Sequence, residues 1–238
     1  MKSIMASRQW FTILMLAFFL VSCSRLPIIK PADPATIKNT IQRCHLPFHS
    51  TPYRFIHAIE VELSGRGAGT VVGVTVFDPT TENIHSVIMT IEGFVLFDAQ
   101  YEKEIHVNRA VPPFDKEQFA GRMMEDVKLI FLAPHGKLSD AGMREDGSTV
   151  CRYSGNTGII EDVIIRTDDS WEIGTYSDSH ELIRQVKAYS VRDRIPDRIE
   201  LNSFGFREYS LRMKLISAEA VTPEEIRASP RETQEEDE

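Results

Sequence analysis

The strongest signal along the chain is alternation. Tyr53, Phe55, His57, Ile59, Val61 and Leu63 alternate with Arg54, Ala58, Glu60 and Glu62, and Ile56 is the one break. Residues two apart share a strand face, so this is the period of a half-buried strand. Residues 64–69 turn the chain, and the Val-rich run 70–77 leads to Asp78-Pro79. Runs 83–91 and 94–99 form a hairpin around Glu92-Gly93, and 103–109 pairs next. Alternation resumes over 148–153, 157–166, 171–176, 182–191, 198–202 and 208–216. In the last of these, Tyr209, Leu211, Met213 and Leu215 oppose Ser210, Arg212 and Lys214.

Two stretches change period. Ile37 and Ile41 lie four apart, which predicts a short helix over 36–43. Phe119, Met123, Val127, Ile130 and Phe131 fall at helical spacing after Asp115, the predicted N-cap, and Pro134 stops the run. Lys116, Arg122, Glu125 and Lys128 decorate the rest of that helix. The count is about eleven strands joined by consecutive hairpins. Such a chain is mainly β (α+β), a single antiparallel sheet curled to protect its edges, with one or two helices on its concave face.

The first 22 residues follow a different rule. Lys2 and Arg8 precede an uncharged apolar run from Trp10 to Val21. That run is shorter than the roughly 20 residues a membrane span needs, and it suits a signal-peptide core. Leu20-Val21-Ser22-Cys23 closes it and resembles the bacterial lipobox. The resemblance implies that residues 1–22 are removed and that Cys23 carries a covalent lipid. Ser24, where Asp marks inner-membrane retention, resembles an outer-membrane address. The expectation is a domain facing the periplasm, tethered by its lipid.

Composition then falls into place. The chain has 238 residues, 27 Lys+Arg and 35 Asp+Glu, for a net charge of −8. Losing Lys2 and Arg8 takes it to −10. An acidic chain without a basic cluster is no nucleic-acid binder. The segment from Val221 onward is Glu-rich, has no aromatic residue and reads as a solvated tail. The expected layout is a leader over 1–22, lipidated Cys, tether and short helix over 23–48, one domain over 49–218 and an acidic tail over 219–238. Cys44 and Cys151 remain after lipidation. In an oxidising compartment they read as one disulfide, with two buried free thiols as the alternative.

Enzyme motifs fail. Gly65-x-Gly67-x-Gly69 lacks the helix and the Lys-Ser/Thr of a phosphate loop. No Gly-x-Ser-x-Gly elbow occurs. Cys44, His45 and His49 lack a fourth metal ligand, and Cys44 is wanted elsewhere. His57 lies on an apolar strand face and reads as core, and Ser154 and Asp162 have no His partner. No catalytic group, metal or cofactor beyond the lipid on Cys23 is expected.

The strand pattern, the central helix and the lipobox together resemble the LolA/LolB-like superfamily of lipoprotein carriers and acceptors. Two stretches carry the likeness closely: Gly93-Phe94-Val95-Leu96-Phe97-Asp98-Ala99, and the run from Pro196 to Leu215. The resemblance implies an incomplete β-barrel with helices as a lid over an apolar cavity for acyl chains. Phe119, Met123, Met124, Val127 and Phe131 on the helix, with Met89, Phe97 and Met213 on strands, would line that cavity or lid, since Met adapts to a full or an empty space. The alternative is that they are ordinary packed core. In the acceptor branch an early loop protrudes with an exposed apolar residue; here Glu92-Gly93 is expected to be too short for one. The function implied is binding of acyl chains or a lipidated cargo at the outer membrane, in lipid or lipoprotein transport. A structural or accessory lipoprotein with an envelope protein partner and no cargo is the alternative.

Overall fold

A computed structural model describes residues 26–63, 66–155, 157–205 and 208–222. The leader, Cys23 and the tail from residue 223 lie outside the described residues. Among those described there are thirteen strands and two helices. They run β1 (Lys30–Pro31), α1 (Ile37–Cys44), β2 (Tyr53–Leu63), β3 (Arg66–Asp78), β4 (Asn83–Met89), β5 (Val95–Tyr101), β6 (Ile105–Ala110), α2 (Glu117–Phe131), β7 (Lys137–Met143), β8 (Thr149–Ser154), β9 (Ile160–Ile165), β10 (Trp171–Tyr176), β11 (Leu182–Arg192), β12 (Ile195–Ser203) and β13 (Tyr209–Ala220).

All pairings are antiparallel, in the order β1-β7-β8-β9-β10-β11-β12-β13-β2-β3-β4-β5-β6. The order is linear, so the sheet curls without closing and α2 carries the chain from the β6 edge to β7. Both helices pack on one face. Phe131 of α2 lies 5.2 Å from Phe55 and 5.3 Å from Phe77, ring to ring. Phe119 meets Phe97 edge-on at 5.1 Å. Each such buried ring contributes about 2–3 kcal/mol through apolar burial. This face is the concave side.

α1 covers the β7–β9 part of the same face. The Cys44–Cys151 disulfide pins it there, joining residues 107 apart in sequence. A cross-link closing so long a loop stabilises by about 2–5 kcal/mol. Arg194 adds a second fastening. It sits in the two-residue β11–β12 turn, where Asp193 and Arg194 both have positive φ, as the turn of a tightly twisted hairpin requires. From there its guanidinium donates to the carbonyls of His45, Leu46 and Phe48 at 2.7–3.1 Å. These carbonyls belong to the turns that follow the helix, so one side chain ties that segment to the β11–β12 hairpin.

Within the curled antiparallel sheet that the sequence predicts, three details differ. The sheet has two strands more than eleven. β7 reads Lys-Leu-Ser-Asp-Ala-Gly-Met and has too few apolar residues to show its period. Pairing with β8 along its length makes it a strand. On its other side a Cβ at Gly142 would stand 2.0 Å from the Lys30 carbonyl oxygen, so only Gly lets β1 pair there. The N-cap of α2 is Lys116, not Asp115, and it makes no side-chain capping bond. The domain also runs past residue 218. Glu219 and Ala220 still pair with Arg54 and Tyr53, and the Val221 amide donates to the Pro52 carbonyl at 3.1 Å.

Candidate functional site

The register places matching residues in rows across the concave face. One row is polar: Glu161 on β9, Thr175 on β10, Arg184 on β11, Ser203 on β12 and Tyr209 on β13 are successive cross-strand partners. Two residues further along each strand the row is apolar: Val163, Ile173, Val186, Leu201 and Leu211. The next row is again apolar, with Ile165, Trp171, Ala188, Ile199 and Met213.

A cavity of about 620 Å³ lies between the polar row and α2. Its lining from α2 is Arg122, Glu125, Lys128 and Leu129, Leu132 follows just past the helix end, and Ile173 and Phe204 add apolar surface from the sheet side. That volume falls within the roughly 300–1,000 Å³ typical of a site for one small ligand.

Arg184 is the charge in the cavity lining that is held by carboxylates. Arg184 Nη2 donates to Glu125 at 2.9 Å, and its Nε stands 3.1 Å from Asp126 Oδ1. The Tyr209 hydroxyl donates to Asp126 Oδ2. Burial drives the Asp126 carboxyl up to about 6, although Arg184 and Tyr209 pull the other way. Burial also raises the Glu161 carboxyl. The Asp126–Arg184–Tyr209 cluster clasps α2 to β11 and β13. Among the described residues four buried polar atoms have no hydrogen-bond partner: His57 Nε2, Trp171 Nε1, Thr175 Oγ1 and Asp126 Oδ1, the last being met by Arg184 as an ion pair. Unmet buried donors weaken the packing that contains them.

The eight residues expected to line the cavity are placed differently. Phe97, Met124, Val127, Phe131 and Met213 are buried in the core, and Phe119 and Met123 pack against it. Met89 pairs with Val72, whose neighbours Val71 and Gly73 lie opposite Ile59 and His57, so Met89 is on the outer face. None of the eight is in the lining of the cavity. The reason is that α2 uses two stripes. Phe119 and Phe131 pack onto β2, β3 and β5, with Met123, Met124 and Val127 in the same core, while Arg122, Glu125 and Leu129 face the hollow, joined by Leu132 just past the helix end. The charged members of the second stripe, Arg122 and Glu125, read in the sequence as decoration of the helix surface. A better signal was phase: Glu161, Arg184 and Tyr209 each fall in step with the buried positions of their own strands.

The early loop also differs from expectation. β4 ends at Met89 and β5 begins at Val95, so the link spans residues 90–94. Ile91 is 71% exposed and Phe94 55% exposed, and Arg109 lies over the Phe94 ring at 5.0 Å. The hairpin is therefore long enough to present two apolar side chains. Cys44 is taken by the disulfide, and the His49 ring packs tilted against Tyr53 at 4.2 Å. Among the described residues no group of three or more metal-ligating side chains converges, and no helix is long and apolar enough to cross a membrane.

No protein-family model matches the sequence, and no curated protein does. Solved structures match the fold. A LolA superfamily protein from Nitrosomonas europaea superposes with TM-score 0.54 at 11% identity, over 80% of this chain and 96% of that one. A domain assigned provisionally to outer membrane lipoprotein sorting, from Vibrio parahaemolyticus, gives 0.50 at 7%, over 82% and 98%. A DUF1329 family protein from Desulfovibrio piger gives 0.50 at 9%, over 81% and 95%. The open antiparallel sheet, the helix across its concave face and these superpositions together give the chain the fold of the LolA-like superfamily.

Proposed function

We propose that this protein is a non-enzymatic carrier or acceptor of acyl chains or of a lipidated cargo, tethered to the outer membrane by a lipid on Cys23 and working in lipid or lipoprotein transport. The observation that carries the reading is the cavity between α2 and the concave face, with Leu129, Leu132, Ile173 and Phe204 in its lining. A fold shared with a domain assigned to lipoprotein sorting supports it.

In this reading α2 is the lid and the Asp126–Arg184–Tyr209 clasp is its catch. Lifting α2 would extend the cavity over the stripe that now packs as core, exposing Phe119, Met123 and Met124 to the guest. Met side chains suit a surface that is sometimes covered by protein and sometimes by lipid. The loop with Ile91 and Phe94 supplies the apolar tip that the acceptor branch calls for, and favours contact with a membrane or a lipidated partner.

Native mass spectrometry of the mature chain from Ser24, purified without detergent, tests the reading. The expected result is one lipid-sized adduct per chain, lost on organic extraction. A chain that carries no adduct and takes up no acyl-chain probe after extraction would refute it. It would leave the cargo-free accessory role, whose signature is a stable envelope partner in crosslinked cells.

A further inference from the structure

We propose that the hollow is a site for an uncharged single-chain amphiphile, its hydroxyl-bearing head on the Glu161–Thr175–Arg184–Ser203–Tyr209 row and its chain against Ile173 and Leu132. The assignment rests on the acyl-chain reading above and names the class of guest within it.

The polar row supplies hydrogen bonds that are not yet made. Thr175 is only 6% exposed and lines the cavity, yet its hydroxyl has no hydrogen-bond partner among the described residues. Its cross-strand neighbour Glu161 also lines the cavity, and its carboxyl has no hydrogen-bond partner among the described residues. A buried hydroxyl is normally satisfied. Here the two groups that could satisfy each other face the hollow side by side, so a guest's hydroxyl can meet both.

The same row argues against a charged head. Arg184 is held by Glu125 and Asp126. The Lys128 ammonium sits 3.2 Å above the Tyr101 ring, and Arg122 donates to Gln118. His135 stands 3.5 Å from Glu82. Each lining cation therefore has a partner within the protein, though of the Arg and Lys side chains only Arg184 is paired with carboxylates, and an anionic head at Thr175 would meet Glu161 on one side. A cationic head at Thr175 would meet the Arg184 guanidinium on the other side. An uncharged head avoids both costs. The apolar row begins only two residues along each strand from the polar one, so head and chain divide within one layer of side chains. A volume of about 620 Å³ suits one chain rather than several.

Calorimetric titration of the lipid-stripped mature chain with three oleoyl amphiphiles, each kept below its aggregation threshold, tests this. The probes are 1-monooleoylglycerol, oleate and oleoyl-lysophosphatidylglycerol. Monooleoylglycerol should bind one per chain and about tenfold more tightly than either anion. Thr175→Val should weaken monooleoylglycerol about tenfold and leave oleate unchanged, which is the loss of one good hydrogen bond. The same substitution should raise the melting temperature of the empty protein, because it removes an unmet buried hydroxyl. Equal or tighter binding of either anion, or an unaltered Thr175→Val, overturns the headgroup assignment and leaves the acyl-chain reading standing. Binding of none of the three overturns that reading as well.

Discussion

The concave face is filled on one side and hollow on the other, although one sheet builds both. Over β2–β5 the inward positions carry Phe55, Phe77 and Phe97, and α2 answers with Phe119 and Phe131. Over β9–β13 the row nearest the mouth carries Glu161, Thr175, Arg184, Ser203 and Tyr209, and α2 answers with Arg122, Glu125 and Leu129, with Leu132 just past its end. Rings interlock and exclude space. Branched aliphatic and ion-paired side chains held at arm's length do not. The difference shows how a single helix can be fixed on one stripe and span a cavity with the next.

The largest test of that contrast is mechanical. Phe131→Ala should cost about 3–5 kcal/mol in urea unfolding, because a ring between Phe55 and Phe77 leaves a cavity its neighbours cannot close. Leu129→Ala, on the hollow stripe, should cost roughly 1–2 kcal/mol, since Leu129 is half-buried beside space that already exists. Equal losses would mean that the hollow is packed in solution, and the contrast would fail.

The two sides also differ in the sign of their response to acid. On the filled side His57 is buried against Phe55 and Phe131, and burial lowers its pKa from 6.5 to about 4. His49, nearby, is lowered to about 4 by burial and by Arg194. Their contribution is full above pH 6.5 and is lost as pH falls toward 4. Beside the hollow, Asp126 is raised from 3.8 to about 6. The folded state binds its proton more tightly than the unfolded state, so its contribution is full below pH 3.8 and is lost as pH rises through 6. In the wild type the two slopes oppose each other between pH 4 and 6.5. Asp126→Asn removes one of them. Relative to wild type it should be at least as stable at pH 7 and on the order of 2 kcal/mol worse placed at pH 4, measured by urea unfolding at both. A constant difference across that range would show that Asp126 is not held near neutrality.

How far the sequence carries depends on what marks a residue. Alternation marks strands with one apolar face, so β2 and β13 are legible almost residue by residue. It cannot mark β7, which has few apolar residues and is held by pairing with β8, while Gly142 admits the Lys30 carbonyl of β1. The helical period finds α2 and its ring-bearing stripe, because Phe and Met are conspicuous. It misses the cavity stripe, because Arg122, Glu125 and Lys128 look alike on a solvated face and in a clasp. Arg184 and Asp126 come together only through the fold, from positions 58 residues apart in the chain. Met89 shows the cost of one step of register: the strand assignment was right, and the face was the opposite one. The 90–94 loop was misjudged for a related reason. The strands stop two residues earlier and start one later than apolar content suggests, which frees Ile91 and Phe94.

That loop gives the smallest effect on stability and so the cleanest separation of fold from function. Ile91 and Phe94 lie outside the packed core, so Ile91→Ser with Phe94→Ser should change the unfolding free energy by no more than about 0.5 kcal/mol. Their exposed area should still matter to a membrane. Placing two such side chains in an interface contributes about 2 kcal/mol or more. Loss of both should then weaken binding of the mature chain to phosphatidylethanolamine–phosphatidylglycerol vesicles at least about tenfold, read by co-sedimentation. Arg109, over the Phe94 ring, would stand beside an anionic headgroup, so part of the binding should fall with added salt while the apolar part stays. Vesicle binding that the double substitution leaves unchanged would remove the loop from the membrane contact. The hollow would then stand as the one lipid-facing part of the fold, which returns the contrast to its two sides: the filled half holds the helix, and the hollow half alone would have to meet the guest.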